Sequence, residues 1–277
     1  SVRTVRKESD MKQITSARCI SCIPEVVPKK RSNNKKLKLL ITNKRIDWGF
    51  KQSMLMIQSR LQQIMRRTGD KVLLITSTIP AEGKTMTSVN MALAFAQEGM
   101  KVALLDGDLR KPSVSELMKL PEGPGLTEYF RGESTPEEIQ VVKDGVTFFR
   151  AGQKKGKVSG LIDEEKMNSL LEKLRKEYDV ILMDAAPSYV FSDAMILSSY
   201  ADKVLYVVRV DKADAKEIRV GMNSFEEKEK LIGYVINRDT GGYISQSGYG
   251  YGRYGKYQKY RKYAELDEET MNTEDTL

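Results

Sequence analysis

The sequence contains no histidine and only two cysteines among its 277 residues. Without histidine, the Ser-His and Cys-His nucleophile systems are excluded, so proton transfer must fall to Asp, Glu, Lys or Tyr. Cys19 and Cys22 form a single C-x2-C pair, and a four-ligand zinc site needs further cysteine or histidine ligands that the chain lacks. We interpret the pair as small apolar residues of a strand, with a redox pair as the alternative. Two cysteines without a disulfide framework predict a reducing cytoplasm.

Long apolar runs are absent as well. No stretch approaches the roughly 20 apolar residues that a membrane-spanning helix needs, and no signal peptide opens the sequence. We therefore expect a soluble polypeptide, long enough for one large α/β core with extensions. Because the sequence begins with Ser1 rather than Met, we expect it to be a piece of a longer protein.

Positive charge is concentrated towards the N-terminus. Residues 1–69 hold 17 Lys and Arg against 4 Asp and Glu, whereas the rest of the chain is net acidic. Within them, residues 1–45 are predicted to form a basic arm, with a strand candidate at 20–27 and the linker-like sequence PKKRSNNKKLK. Such an arm suits an anionic surface, either the inner leaflet of a membrane or nucleic acid, and a solvated linker without a partner is the alternative.

Between residues 71 and 237, apolar runs alternate with amphipathic stretches. Continuous Val, Ile and Leu suit a sheet covered on both faces, so we predict strands in KVLLITST, KVALLDGD, VTFFRAG, DVILMDAAP, KVLYVVRVD and LIGYVIN. Helices are predicted at 50–64, 85–98, 163–176, 192–200 and 213–230. This alternation predicts an α/β fold with a doubly wound, mostly parallel sheet flanked by helices, which binds ligands at the carboxyl ends of its strands.

The turn after the first of these strands predicts a phosphate-binding loop like that of P-loop NTPases. In TSTIPAEGKT, the Gly-Lys-Thr core lies between a strand and a helix, although Thr78 stands where the strict pattern has glycine. Backbone N–H groups would hold phosphates, Lys84 would reach the β and γ phosphates, and Thr85 would ligate Mg²⁺. Nucleotide contacts are predicted for Pro80, Ala81, Glu82, Gly83, Lys84, Thr85 and Met86. An ordinary strand-turn-helix with a solvated lysine is the alternative.

Three aspartates close predicted strands of the same sheet. Asp106 and Asp108 lie in LLDGDLRKP, and Asp184 lies in DVILMDAAP. Because parallel strands end at one edge, their carboxylates should converge beside the metal and the γ-phosphate. We predict that Asp108 and Asp184 hold Mg²⁺ with Thr85, that Asp106 accepts a proton, and that Arg110 pairs with a phosphate or braces the carboxylates. The predicted catalytic residues are Lys84, Asp106, Asp108 and Asp184.

Together, the loop at 78–85, the LLDGDLRKP segment and the ILMDAAP segment resemble the three nucleotide motifs of bacterial tyrosine kinases, which act in capsule and exopolysaccharide export. The resemblance covers residues 71–237. GYVIN is also similar to the strand of related partition and septum-placement ATPases whose terminal Asn, here Asn237, contacts adenine. Those ATPases have a second lysine where this chain has Ile79, which favours the kinase branch. The resemblance implies an ATP- and Mg²⁺-dependent protein tyrosine kinase.

The segment GYGYGRYGKYQKYRKY, residues 248–263, holds six of the thirteen tyrosines. The resemblance implies that a neighbouring copy phosphorylates them. Its glycines predict a flexible tail at 241–277, following a kinase domain at 46–240. A single-strand nucleic-acid binder and a passive tail are the alternatives. The predicted phosphate acceptors are Tyr249, Tyr251, Tyr254, Tyr257, Tyr260 and Tyr263.

The N-terminal sequence DMKQITSARCISCIPEV resembles the cytoplasmic segment after the second membrane helix of polysaccharide chain-length regulators, which is fused to the kinase or supplied as an activating adaptor. The resemblance implies a membrane-embedded regulator, a tyrosine phosphatase and other copies of the chain as partners at the cytoplasmic face of the cell membrane; nucleic acid is not favoured. The family's helix before the P-loop bears charges that build a ring, but Gln52, Leu55 and Gln58 stand there. A non-kinase ATPase switch and a nucleotide-binding adaptor without catalysis stay open as alternatives.

Overall fold

Eight strands form one sheet in the part of the chain that the structure, a computed structural model, describes: residues 3–26, 38–153, 158 and 160–240. Their order across the sheet is β1-β8-β7-β2-β6-β3-β5-β4, and only β4 runs antiparallel to its neighbour among these strands. The strands are β1 (Cys19–Pro24), β2 (Val72–Ser77), β3 (Val102–Asp106), β4 (Gln140–Lys143), β5 (Val146–Phe149), β6 (Val180–Asp184), β7 (Lys203–Arg209) and β8 (Leu231–Asp239).

Helices cover both faces of this sheet, as the alternation of the sequence predicts. Asp47 accepts a hydrogen bond from the backbone N–H of Phe50 and Asp163 accepts one from that of Lys166, so an aspartate caps the start of α2 and of α6. Within the described ranges, no helix is long and apolar enough to span a bilayer. The helices are α1 (Glu8–Met11), α2 (Trp48–Thr68), α3 (Lys84–Gln97), α4 (Val114–Met118), α5 (Leu126–Phe130), α6 (Glu164–Glu177), α7 (Asp193–Ser198) and α8 (Ala215–Glu227).

The core lies where continuous apolar strands meet amphipathic helices. Every residue of β2, β3 and β6 is buried. The predicted stripe of α2 is buried at Phe50, Met54, Ile57 and Leu61, and it packs in one cluster with α3 and the strand residues of that face. The predicted α/β class with a mostly parallel sheet is confirmed.

The N-terminal residues contribute a strand to this sheet. β1 runs parallel to β8, with Cys22 opposite Ile236 and Ile23 opposite Asn237, and its buried side chains pack against α2. Both cysteines lie in this strand as free thiols. Residues 3–24, placed by the sequence in an arm, therefore fold onto the sheet because burial of Ile20 and Ile23 removes apolar surface from water. The boundary predicted at residue 45 stays a prediction, and the predicted tail at 241–277 lies outside the described residues.

The parallel strands bring the predicted site residues to one edge of the sheet. In the pairing of β3 with β6, Asp106 lies opposite Asp184, so two of the strand-closing carboxylates are neighbours. β2 lies between β6 and β7, and the loop that follows β2 therefore lies beside them. The edge formed by these carboxyl ends is where a doubly wound sheet binds its ligand.

Candidate active site

The loop between β2 and α3 has a shape that requires glycine at position 83. Gly83 has a φ of 98° and precedes the first helical residue, Lys84. A Cβ atom at Gly83 would overlap the side-chain nitrogen of Asn237, which donates a 2.8 Å hydrogen bond to the carbonyl of Glu82. This close approach aligns the loop with the N-terminus of α3, where backbone N–H groups and the helix dipole favour a phosphate.

Glu82 braces the loop from within. Its carboxylate accepts hydrogen bonds from the backbone N–H of Thr78 at 2.7 Å, of Ile79 at 2.9 Å and of Arg209 at 3.2 Å. Burial raises the pKa of Glu82 to about 7, although these three donors oppose the shift. The Arg209 guanidinium also donates to the carbonyl of Ala81 at 3.0 Å. The side chain of Glu82 therefore holds the loop to itself and to β7, a role that the sequence analysis did not predict.

The raised pKa of Glu82 predicts a pH-dependent contribution to stability. The folded chain holds a proton at Glu82 up to about pH 7, whereas the unfolded chain releases it near the ordinary value of 4.5. The free energy of unfolding should therefore fall as pH rises between these values, by about 3 kcal/mol from this group. In Glu82→Gln, the free energy of unfolding should not show this decrease. Denaturant unfolding of both proteins between about pH 4 and about pH 8 measures the difference. Parallel pH profiles would contradict this expectation.

Lys84, Thr85 and Ser88 of α3 contact the carboxylates at the strand ends. The Lys84 Nζ lies 2.7 Å from Oδ2 of Asp108 and 3.5 Å from Oδ2 of Asp184. The Thr85 hydroxyl donates to Oδ2 of Asp184 at 2.6 Å, and the Ser88 hydroxyl donates to Oδ1 of the same carboxylate at 2.9 Å. Lys84, Asp108 and Asp184 are buried, so these contacts are shielded from water. Ser88 was not predicted as a site residue, although its spacing of four residues from Lys84 places both side chains on one face of α3.

The pKa shifts in this cluster follow from burial and from the neighbouring charges. Burial alone would lower the pKa of Lys84, but the carboxylates of Asp184 and Asp108 outweigh it and raise this pKa. Burial, and next the charge of Asp184, raises the pKa of Asp106 well above its ordinary value. Burial also raises the pKa of Asp184, although the charge of Lys84 and the hydrogen bonds from the two hydroxyls oppose this shift. Lys84 is therefore charged, and it compensates part of the negative charge around it.

Asp106 is fully buried in the cluster, as Asp184 is. Its Oδ2 accepts a 3.2 Å hydrogen bond from the backbone N–H of Val114 at the start of α4. Its Oδ1 is buried, and among the residues that the structure describes it finds no hydrogen-bond partner. A buried acceptor without a donor is costly, which suits a group that receives a proton or polar contact from a ligand.

Arg110 connects the two loops that carry the carboxylates. Its guanidinium makes two hydrogen bonds to Asp193, at 2.6 and 2.9 Å, and lies 4.4 Å from the centre of the Phe191 ring. Asp193 begins α7, and Arg110 follows β3, so the pair bridges the segments after β3 and β6. Asp193 is not one of the three strand-end carboxylates, so the predicted role of Arg110 as a brace of those carboxylates stays a prediction. Its predicted phosphate contact and the predicted adenine contact of Asn237 stay predictions.

The structure brings together most of the predicted site. Residues 80–86 form the loop and the first turn of α3, and the predicted metal ligands Thr85, Asp108 and Asp184 surround the Lys84 ammonium. A hydroxyl and two carboxylates are oxygen donors of the kind that Mg²⁺ prefers beside nucleotide phosphates. With Oδ1 of Asp106, which has no hydrogen-bond partner among the described residues, these residues fit a magnesium nucleotide. The six predicted phosphate acceptors lie outside the described residues.

Comparison with known proteins identifies the family. Residues 69–215 match the model of the ParA family, described as NUBPL iron-transfer P-loop NTPase. Tyrosine-protein kinase CpsD of Streptococcus pneumoniae is 34% identical over 184 residues, which cover 62% of this chain and 78% of CpsD. The kinase domain of Escherichia coli tyrosine kinase ETK has a TM-score of 0.72 and 26% identity, over 80% of this chain and 90% of that domain.

Other relatives are much longer than this chain. Tyrosine-protein kinase ptk of Acinetobacter johnsonii is 28% identical over 180 residues, which cover 63% of this chain but 25% of that protein. The match to CpsD, in contrast, covers more than two thirds of the relative at more than 30% identity. The predicted family and the predicted P-loop fold are confirmed. The chain therefore belongs to the bacterial tyrosine kinases, on a P-loop NTPase fold of the ParA type.

Proposed function

We propose that the chain is an ATP- and Mg²⁺-dependent protein tyrosine kinase that phosphorylates the tyrosine-rich segment of a neighbouring copy and thereby regulates capsular or exopolysaccharide synthesis and export. The contact of Lys84 and Thr85 with Asp108 and Asp184 at the start of α3 carries this proposal. The naming of CpsD and ETK as tyrosine kinases supports the reaction. The role in polysaccharide synthesis rests on the family resemblance.

The residues of the site have separate tasks in this reaction. The loop at 78–83 and the N-terminus of α3 would bind phosphates, and the Lys84 ammonium would neutralise charge on the β and γ phosphates. Mg²⁺, held by Thr85, Asp108 and Asp184, would supply further compensation of phosphate charge when bound. Arg110 and Asp193 would keep the loops of both carboxylates at a fixed spacing.

Phosphoryl transfer forms a bond between the tyrosine oxygen and the γ-phosphorus and breaks the bond from that phosphorus to the β–γ bridging oxygen, which leaves ADP. A phenol has an ordinary pKa near 10, so a base must take its proton as the new bond forms. Asp106 is our proposed acceptor, because its Oδ1 lacks a partner among the described residues.

Incubation of the full chain with radiolabelled ATP and Mg²⁺ tests the proposal. We expect label on tyrosine, mapped by mass spectrometry between Tyr243 and Tyr263. A variant with Phe at Tyr243 and at all six predicted acceptors should lose that label while it still binds ATP. Hydrolysis of ATP without labelled tyrosine would overturn the kinase proposal. It would support a nucleotide switch with water as nucleophile, the alternative favoured by the ParA match. Binding of ATP without hydrolysis or transfer would indicate the adaptor.

The partners proposed for the chain are other copies, a membrane-embedded polysaccharide chain-length regulator, a tyrosine phosphatase and the inner membrane surface, at the cytoplasmic face of the cell membrane. We do not propose that copies contact each other through the positions of α2 that carry charges in the family. Gln58 is buried and donates to the side chain of Gln62 at 2.7 Å, and Leu55 packs against the core. These two positions of α2 therefore face inward.

A further inference from the structure

Three hydroxyl groups meet beside the phosphate-binding loop, and the central one belongs to Tyr206 of β7. The side chain of Tyr206 is fully buried. Its hydroxyl donates to Oγ1 of Thr78 at 3.1 Å and lies 2.8 Å from the hydroxyl of Ser188. Thr78 follows β2 and begins the loop, whereas Ser188 lies in the segment that follows β6. One phenol oxygen therefore connects the loop to the segment that continues from Asp184.

The helix α8 leaves space for this phenol oxygen. A Cβ atom at Gly221 would lie 2.2 Å from the hydroxyl oxygen of Tyr206 and 3.0 Å from Oγ of Ser188. Because non-bonded heavy atoms are most favourable near 3.5 Å or more, alanine at this position would displace the phenol. Gly221 lies within α8, where glycine is among the least favourable residues. The fit to the Tyr206 hydroxyl, and not helix propensity, therefore accounts for glycine here.

Thr78 is the part of the loop that needs this hydroxyl. The strict P-loop pattern has glycine at position 78, and glycine has no side-chain group to satisfy. The Thr78 hydroxyl is fully buried, and a buried hydroxyl without a hydrogen bond is destabilising. Within the described part of the chain, its hydrogen-bond partner is the phenol of Tyr206. Burial raises the pKa of Tyr206, although the hydrogen bonds with Ser188 and Thr78 oppose this shift, so the phenol keeps the proton that it donates.

We propose that Tyr206 is a positioning residue of the nucleotide site, because its hydroxyl holds the first residue of the phosphate-binding loop in register with the segment after Asp184. This inference deepens the proposed function and rests on it for the nucleotide. The loop leads into Lys84, and β6 ends at Asp184, so the two segments that Tyr206 joins carry opposite sides of the site. A small displacement between them moves the phosphate-binding groups away from the carboxylate of the predicted metal site.

Backbone hydrogen bonds join the same two segments. The backbone N–H of Ser188 donates to the carbonyl of Ser77 at 2.8 Å, and that of Tyr189 donates to the carbonyl of Thr78 at 3.3 Å. These bonds keep the segments adjacent when the phenol oxygen is removed, so the loop loses its exact position but not its place in the fold. The apparent dissociation constant for nucleotide then rises by the inverse of the fraction of chains whose loop is competent to bind.

Binding of a fluorescent, non-hydrolysable ATP analogue to the full chain in the presence of Mg²⁺ tests the proposal without catalysis. Tyr206→Phe and Thr78→Val each remove one hydroxyl and keep the shape of the side chain. Each should raise the dissociation constant about fivefold, the scale of one hydrogen bond. The double variant should have a constant no higher than either single variant, because both hydroxyls act through the same hydrogen bond.

Tyr129→Phe is the matched control. Tyr129 is also buried, and its hydroxyl donates to the carbonyl of Lys166 at 2.9 Å, between α5 and α6. This variant should lower the midpoint of thermal unfolding but leave the dissociation constant unchanged, which distinguishes a positioning hydroxyl from a structural one. Gly221→Ala should raise the dissociation constant as Tyr206→Phe does. Adding Tyr206→Phe to Gly221→Ala removes the overlapping oxygen, so the midpoint of thermal unfolding should rise.

The outcomes separate this inference from the proposed function. Wild type that binds the analogue more tightly than Tyr206→Phe but transfers no phosphate to tyrosine would overturn the kinase and leave the role of Tyr206 standing. Equal dissociation constants for wild type and Tyr206→Phe would overturn that role, even if both transfer phosphate. Effects of Tyr206→Phe and Thr78→Val that multiply in the double variant, or an equal loss of affinity in Tyr129→Phe, would overturn it as well. Folded wild type that does not bind the analogue would overturn both.

Discussion

Lys84→Met is expected to lower the rate of phosphoryl transfer to tyrosine by roughly a thousandfold or more. The ammonium group of Lys84 lies at the start of α3, in contact with Asp108 and near Asp184, where the proposed triphosphate needs compensation of its charge. Methionine has a similar length but no charge, so the loop keeps its shape while phosphate oxygens lose this partner. The initial rate of label transfer from radiolabelled ATP measures the effect.

The same substitution is expected to destabilise the fold, and this needs its own control. Removal of Lys84 leaves two buried carboxylates without their cation, which costs about 3–5 kcal/mol. The double variant Lys84→Met and Asp108→Asn also removes one of these charges. Its midpoint of thermal unfolding should therefore lie above that of Lys84→Met, whereas its rate of phosphoryl transfer should stay as low. Lys101→Met changes an exposed lysine and should affect neither. Transfer at the wild-type rate by folded Lys84→Met would contradict the role of this lysine.

The sheet and its motifs could be predicted because they depend on local pattern. Continuous apolar runs such as VALLD become fully buried strands wherever helices cover both faces, and β3 and β6 are buried throughout. Once the strands are parallel, Asp106 and Asp184 must lie at the same edge, as their pairing shows. The convergence of the carboxylates therefore followed from strand direction alone.

The pairing of the strands at the two edges of the sheet was not predicted. β1 pairs with β8 across more than 200 residues, and a strand of six residues carries no local signal for its partner. The hairpin of β4 and β5, in contrast, has a local sequence signal. Asp144 and Gly145 both have positive φ, of 49° and 76°, and form the two-residue turn typical of Asp-Gly between strands.

The contacts that shape the site were the least predictable part. Glu82 was predicted as a nucleotide contact because it lies in the loop, but its side chain turns inward to three backbone N–H groups. Asp193 holds Arg110 across 83 residues of sequence, so only the fold brings the two together. Such residues are selected by tertiary geometry, and a pattern within one segment does not identify them.

Gly83→Ala is expected to damage both the fold and nucleotide binding. A left-handed residue other than glycine costs about 1–2 kcal/mol, and the φ of 98° at Gly83 imposes at least this cost. The added Cβ would also overlap the side-chain amide of Asn237, which must then leave the carbonyl of Glu82. Because that hydrogen bond positions the loop, we expect affinity for a fluorescent ATP analogue to fall about tenfold or more.

Gly99→Ala separates the strain at Gly83 from the overlap with Asn237. Gly99 has a φ of 78°, and a Cβ there meets nothing within 4 Å in the described part of the chain. Gly99→Ala should therefore cost only the left-handed strain, about 1–2 kcal/mol of unfolding free energy, and leave nucleotide affinity unchanged. Adding Asn237→Ala to Gly83→Ala removes the overlap, so the double variant should unfold at a higher denaturant concentration than Gly83→Ala alone. If Gly83→Ala and Gly99→Ala match in stability and in nucleotide affinity, the contact between Asn237 and the loop does not shape the site.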